Sequence, residues 1–134
     1  MVLVDTSAWV DFFNGHASAE ARTLQRLIAS DEVIAITGVI LTEILSGLKT
    51  ETQATKVGDL LSVFEYLDGL TQQDYLLAAK IYRTCRGRGT TLSSTVDCLI
   101  AQLALSRNCW LLTKDKDFQL IKKFFPLKLW KIEA

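Results

Sequence analysis

The chain has 134 residues, 49% of them hydrophobic, and its fifteen basic and fifteen acidic side chains balance to a net charge of zero. That length and apolar content suit one globular domain over residues 1–134 and exclude a disordered chain. No apolar run approaches the roughly 18 residues a membrane span needs, so no membrane partner is expected. No basic secretory leader precedes the first apolar run. Cys85, Cys98 and Cys109 are odd in number and lack CxxC spacing, which predicts reduced thiols in a cytoplasmic protein rather than a zinc site.

Val2-Leu3-Val4 is a short continuous apolar run that suits a strand buried on both faces, as in a parallel sheet. It runs into Asp5, then into Thr6 and Ser7, either of which can cap the helix carried by Trp9, Val10, Phe12 and Phe13. Asp5 thus stands at the carboxyl end of a strand, where open α/β sheets place their ligands, although a cap or turn role would also put an aspartate there. Asn14-Gly15-His16 is a turn, and Ala21, Leu24, Leu27 and Ile28 give Ser18–Ser30 an amphipathic helical face. Glu32–Ile36 is a second strand. Thr37 caps the apolar helix Gly38–Leu48, and Thr50 and Gln53 have capping-box spacing for a helix reaching Phe64.

Phe64–Leu67 is a short strand and Asp68-Gly69 a turn. Thr71 and Asp74 repeat the capped start for a helix to Cys85, which Arg86-Gly87-Arg88-Gly89 ends. The glycines there predict a flexible loop, followed by the polar loop Thr90–Ser94. Thr95–Ser106 is an apolar helix, Cys109–Leu112 a strand, Asp115-Lys116-Asp117-Phe118 the start of a last short helix, and Leu127–Trp130 a final strand. Strands alternating with helical stretches predict a single α/β domain with a parallel sheet covered by helices.

Three further carboxylates stand where a fold alone does not require them. Glu43 lies among apolar neighbours in a helix, Asp97 in the first turn of another, and Asp115 just past a strand, the position Asp5 also occupies. Singly, Glu43 could reach solvent, Asp97 could help cap its helix and Asp115 could serve a turn. In a doubly wound sheet all four converge on one edge crevice. Two unit charges about 5 Å apart repel by roughly 3 kcal/mol at an effective dielectric near 20. Four such groups share several repulsive pairs, comparable to the stability of a small domain, so the cluster must bind protons or a cation. With oxygen ligands alone the fitting ion is Mg2+, or Mn2+. Neutralising four carboxylates leaves a net charge of +4, compatible with a polyanionic substrate.

The segments VLVDTSAWV with Asp5, TGVILTEI with Glu43, STVDCLIAQLA with Asp97 and LLTKDKDF with Asp115 resemble, in order and spacing, the PIN-domain family of metal-dependent ribonucleases, and within it the VapC toxins of toxin–antitoxin pairs. The resemblance covers essentially the whole chain. It implies a three-layer α/β/α sandwich with a five-stranded sheet in the order 3-2-1-4-5, a Mg2+-dependent endoribonuclease, a homodimer, and inhibition by a cognate VapB-type antitoxin. Carried over residue by residue, Asp5 and Asp97 are the principal metal ligands, Asp115 completes the acidic ring, and Glu43 acts through a second metal or an ordered water. Thr113 corresponds to a hydroxyl that orients Asp5. Thr6 and Ser7 either serve similarly or only cap the helix, and Asp117 is expected to be the N-cap of the last helix.

Arg83, Arg86 and Arg88, free of acidic neighbours from Asp74 to Asp97, either hold RNA phosphates or form a solvated face. The aromatic residues Trp9, Phe12, Phe13, Trp110 and Trp130, at helical or strand spacing, read as core or subunit-interface positions rather than base-stacking platforms. Rival readings are a catalytically inactive RNA- or antitoxin-binding module and a Mg2+-dependent phosphoryl-transfer domain of receiver or HAD type. The last would need a second aspartate two residues after Asp5, where Ser7 stands, and a receiver would need paired early acids. With His16 as the sole histidine, a histidine acid–base pair is excluded.

Overall fold

Three consecutive apolar residues have no face to give to water, and β1 (Val2–Val4) accordingly forms the middle of the sheet with all three side chains at zero exposure. A computed structural model describes residues 1–133. In it β1 pairs in parallel with β2 (Ile34–Thr37) on one side and β4 (Trp110–Leu112) on the other, Leu3 standing opposite Ala35 and Leu111. β3 (Glu65–Leu67) and β5 (Lys128–Leu129) form the edges, so the order is β3-β2-β1-β4-β5 and every pairing is parallel, as expected.

The helices divide by where their crossovers lie. α1 (Thr6–Phe13), α2 (Ala19–Ile28), α3 (Gly38–Ser46) and α4 (Glu51–Leu61) connect β1 to β2 to β3 and pack on one another. α5 (Gln72–Gly87), α6 (Thr95–Ser106) and α7 (Asp117–Lys122) connect β3, β4 and β5 and form a second packed group. Because right-handed crossovers that reverse direction along a sheet must change face, the two groups lie on opposite faces. The reversal falls between β1 and β4, which is the switch point where such sheets open a crevice.

Trp9 is the largest fully buried side chain on the first face. Its ring stacks on Phe13 at 5.7 Å and 17°, meets Phe64 at 5.2 Å and Phe12 edge-on at 6.1 Å, while its indole N–H is buried without a partner among the described residues. Trp9 is core as expected, and Phe12, Phe13 and Trp130 are partly buried against the core, but Trp110 is exposed. On the second face, Thr71 and Asp74 close the predicted capping box, and Gln102 of α6 donates to Asp74 at 3.1 Å, pinning α6 to α5.

The flexible loop expected around Arg86 and Arg88 is corrected. α5 continues through Gly87, so Arg83 and Arg86 lie on a helix, and Arg88 is its C-cap. Glycine in a helix costs only about 1 kcal/mol. The chain turns instead at Gly89, whose φ of +83° allows Thr90 to donate to the Cys85 carbonyl. Asn108, at φ +54°, ends α6 in the same way and feeds the chain into β4. The helix expected to reach Phe64 stops at Leu61. Cys85, Cys98 and Cys109 are unpaired and buried, and burial pushes the Cys98 thiol up to about 12. Among the described residues no helix is long and apolar enough to cross a membrane.

Candidate metal centre

Asp5 stands at the switch point because β1 ends there: its N–H donates to the Leu112 carbonyl at 2.9 Å, and its own carbonyl accepts the first turn of α1. The backbone N-cap is therefore Asp5 itself. Neither Thr6 nor Ser7 caps α1, which corrects the capping alternative for both. Their hydroxyls turn to carboxylates instead. Thr6 donates to Glu43 Oε1 at 2.9 Å, and Ser7 donates to Asp5 Oδ2 at 3.1 Å.

Thr113, just past β4, donates to the same Asp5 Oδ2 at 2.9 Å. The direction of both hydroxyl bonds follows from what each hydroxyl accepts. A backbone N–H can only donate, and those of Lys114 and Asp115 point at Ser7 Oγ and Thr113 Oγ1, each at 3.0 Å. Two hydroxyls thus fix one oxygen of a carboxylate that is only 5% exposed, and no described side chain holds its Oδ1. Burial raises the carboxyl above its ordinary range, and these two hydroxyl bonds partly oppose that rise.

Across the crevice the second helix group brings three carboxylates together. Asp97, Asp115 and Asp117 each present an oxygen, and all three oxygens lie within 4.8 Å of one another. Asp97 is half-buried in the first turn of α6 and accepts no hydrogen bond from any described residue. Ser94 caps that helix by accepting from Val96. Burial first, then the charges of Asp115, Asp5, Asp117 and Glu43, push the Asp97 carboxyl up to about 7. Those four carboxylates are thus near enough to Asp97 to disfavour its charge.

Asp117 departs from expectation. The N-cap of α7 is Lys116, and Asp117 is the first helical residue. Asp115 Oδ1 accepts the Asp117 N–H at 2.9 Å, while Asp117 Oδ2 accepts both the N–H and the hydroxyl of Ser93, at 2.9 and 2.6 Å. One of its oxygens joins the cluster. Ser93 was not anticipated, since nothing in the polar loop 90–94 distinguishes it and its partner lies 24 residues on. The Asp115-Lys116-Asp117 spacing was the available signal for Asp117.

Glu43 is exposed on α3, with one oxygen held by Thr6. An exposed ion pair, Lys114 Nζ to Asp11 Oδ2 at 2.9 Å, ties the loop carrying Thr113 and Asp115 to α1. Arg83, Arg86 and Arg88 are exposed. The Arg86 guanidinium lies 5.7 Å from the Tyr82 ring centre and that of Arg88 5.6 Å from Phe124.

The donor set is oxygen only, with several carboxylates each held by one oxygen and open at the other, the arrangement by which outlying hydrogen bonds orient ligands. Asp97, raised and without a hydrogen-bond donor, is the group such a site leaves for a cation. These residues fit Mg2+ or Mn2+.

Residues 2–123 match the PIN domain family model. The chain is 36% identical over 129 residues, 96% of either protein, to the VapC ribonuclease Mb1587 of Mycobacterium bovis and equally to ribonuclease VapC11 of Mycobacterium tuberculosis. In structure it is similar to a chain of the VapBC2 complex of Rickettsia felis bound to a promoter DNA fragment, with a TM-score of 0.74, 25% identity and coverage of 98% of this chain and 100% of that one. The chain belongs to the PIN-domain family, among the VapC ribonucleases.

Proposed function

We propose that this chain is a divalent-metal-dependent endoribonuclease, a VapC-type toxin held in check by a cognate antitoxin. The observation that carries the reading is the convergence of Asp97, Asp115 and Asp117 within 4.8 Å, beside Asp5 and Glu43, with Asp97 lacking any hydrogen-bond donor among the described residues. The relatives named VapC ribonucleases supply the substrate class.

Asp5, Asp97 and Asp115 would hold Mg2+ or Mn2+, with Glu43 and Asp117 completing the ring. When bound, the cation supplies acidity to a water and countercharge to the scissile phosphate. The protein's part is orientation. Ser7 and Thr113 hold Asp5 Oδ2 so that Oδ1 keeps one direction, and Ser93 does the same for Asp117. Thr6 holds Glu43. Water attack on the phosphorus and departure of the 3′ oxygen leave a 5′-phosphate on the product.

Arg83, Arg86 and Arg88 form a solvent-facing basic face suited to RNA phosphates. Neutralising all three should lower the salt slope of RNA binding by about 2, at roughly 0.7 per phosphate contact on a single strand. An unchanged slope removes them from the interface. For the antitoxin, Leu60, Val63 and Tyr66 are exposed beside a cavity of about 270 Å3 between α4 and β3, an apolar surface of the kind that takes a partner's amphipathic segment. The rest of the assembly is read as a homodimer, and the setting as the cytoplasm.

Cleavage of a mixed RNA pool tests the function. Mg2+ or Mn2+ should support it, excess chelator should stop it, and Asp97→Asn should lack it while keeping the fold. Full activity in chelator, or in the variant, overturns the metal mechanism, and a folded protein inert in both ions favours the binding-module reading.

A further inference from the structure

One side of the acidic centre opens into a cleft that none of the proposed chemistry uses. It lies between the C-terminal end of α1 and α3, holds about 110 Å3, and Glu43 is part of its wall. Val10 and Ile44 make it apolar, and Phe13 adds an aromatic wall. One face of the Phe13 ring is covered by the stacked indole of Trp9, and Phe12 meets its edge at 5.5 Å, so the ring is held fixed while it stays only partly buried at the cleft wall. Asn14, the C-cap of α1, lies at the same cleft. Its exposed amide makes no hydrogen bond with any described side chain, which leaves a donor and an acceptor free.

Gly47 and Leu48 complete the lining, and Gly47 leaves space there. Its backbone is right-handed, at φ −82°, so the chain does not require glycine there. An added Cβ would meet only the Ile44 and Glu43 carbonyls, at 3.6 and 3.8 Å, which is ordinary contact. What the missing side chain keeps open is the cleft.

We propose that this cleft is a base-binding subsite for one unpaired pyrimidine of the RNA substrate, the ring lying against Phe13 and its edge read by the Asn14 amide. An engineered cavity of roughly 150 Å3 takes a single six-membered ring. A cleft of about 110 Å3 that is open to solvent suits one such ring and is small for a purine. Unpaired bases are read by this combination of an aromatic face and an amide on the base edge. A fixed aromatic wall also spares the ordering cost of binding. Glu43, shared between the cleft and the acidic centre, places the bound base next to the phosphate to be cut. The inference rests on the ribonuclease reading and adds a base preference to it.

The test is equilibrium binding of labelled uridylate and adenylate octamers with Mg2+, in an Asp97→Asn background that does not cleave. The uridylate octamer should bind about tenfold more tightly, the lower range of one base–aromatic stack. Asn14→Ala and Gly47→Leu should each remove most of that preference by weakening the uridylate octamer alone, as should Phe13→Leu. The first two leave the Trp9 cluster intact, so they decide the matter if Phe13→Leu fails to fold. An abasic uridylate octamer should bind wild type and variants alike. Equal affinity for the two octamers, no affinity for either, or variants that weaken both equally overturns the subsite. So does a Gly47→Leu protein that keeps its uridylate preference but escapes a peptide inhibitor, which would make the cleft a peptide site. Metal-dependent cleavage by the wild-type protein is scored separately: cleavage without base preference defeats the subsite alone, and base preference without cleavage defeats the nuclease reading alone.

Discussion

Asp5 and Asp97 face the same crevice from opposite helix groups, yet their surroundings differ. Asp5 is buried at the end of β1, with two hydroxyls and, behind them, two backbone N–H groups fixing one of its oxygens. Asp97 is half-buried, accepts no hydrogen bond from any described residue, and is pushed up to about 7 by burial and four neighbouring carboxylates. One carboxylate is positioned by the fold and the other is left in want of a positive charge. Pre-organisation and unsatisfied charge together suit a site that a cation would complete.

Activity gives the largest expected contrast with stability. Asp5→Asn and Asp97→Asn should each lower metal-dependent cleavage by on the order of a thousandfold or more, beyond the loss of a single charge-stabilising donor. Truncation should separate the pair in thermal melts of the metal-free protein. Asp5→Ala strands the Ser7 and Thr113 hydroxyls and should cost roughly 1–3 kcal/mol, whereas Asp97→Ala relieves repulsion and should hold or raise the melting temperature. A melting temperature lowered equally in both would erase the distinction. Next in size, Thr113→Val should weaken Mg2+ or Mn2+ binding about 10- to 100-fold with the fold retained. Unaltered metal affinity would mean that the hydroxyl does not orient Asp5.

pH sharpens the comparison further. Between the ordinary carboxylate range and about 7 the folded metal-free protein retains a proton on Asp97 that the unfolded chain has released. Stability therefore falls as pH rises across that window. Asp5, also raised, contributes with the same sign. Asp74, held below its usual range first by the Thr71 N–H and then by Gln102, acts oppositely, its contribution being lost as pH falls below that range. Denaturant melts of metal-free protein should show the decline toward neutral pH, and both Asp97→Asn and saturating Mg2+ should flatten it. A wild-type profile that rises steadily toward pH 7 would contradict the raised carboxyls. The smallest effect belongs to the exposed Lys114–Asp11 pair, where Lys114→Ala should leave the melting temperature almost unchanged. A clear drop would show that tying the loop to α1 matters more than exposure suggests.

The same contrast marks what could be read from the chain itself. Val2–Val4 was legible as a central strand because an all-apolar triplet suits burial on both faces, and Thr71 with Asp74 was legible as a cap because both members of the box are local. The meeting of Asp97 and Asp115, with Asp5 at the end of the neighbouring strand, was legible because strand ends and first helical turns share one edge of a parallel sheet. Among the hydroxyls, Thr113 on Asp5 was legible only through the family resemblance, and Thr6 and Ser7 stayed open between holding a carboxylate and capping the helix. Thr6 looks like a cap until Glu43, 37 residues away, is brought beside it, and Ser7 and Thr113 meet across 106 residues. Asp117 looked like an N-cap for the same reason, since the competing donor, Ser93, arrives from another loop. Arg86 and Arg88 were assigned to a loop because glycine marks helix ends, but only Gly89 takes the left-handed conformation that stops α5.

Calorimetric titration of Mg2+ or Mn2+ into the metal-free protein at pH 7, in two buffers of different ionisation enthalpy, tests the central claim most directly. The wild-type protein should bind the ion and release a substantial fraction of a proton as Asp97 gives up the one it holds. Asp97→Asn should bind far more weakly and release none. Absence of binding by the wild-type protein, or binding that the substitution leaves untouched, would contradict the account.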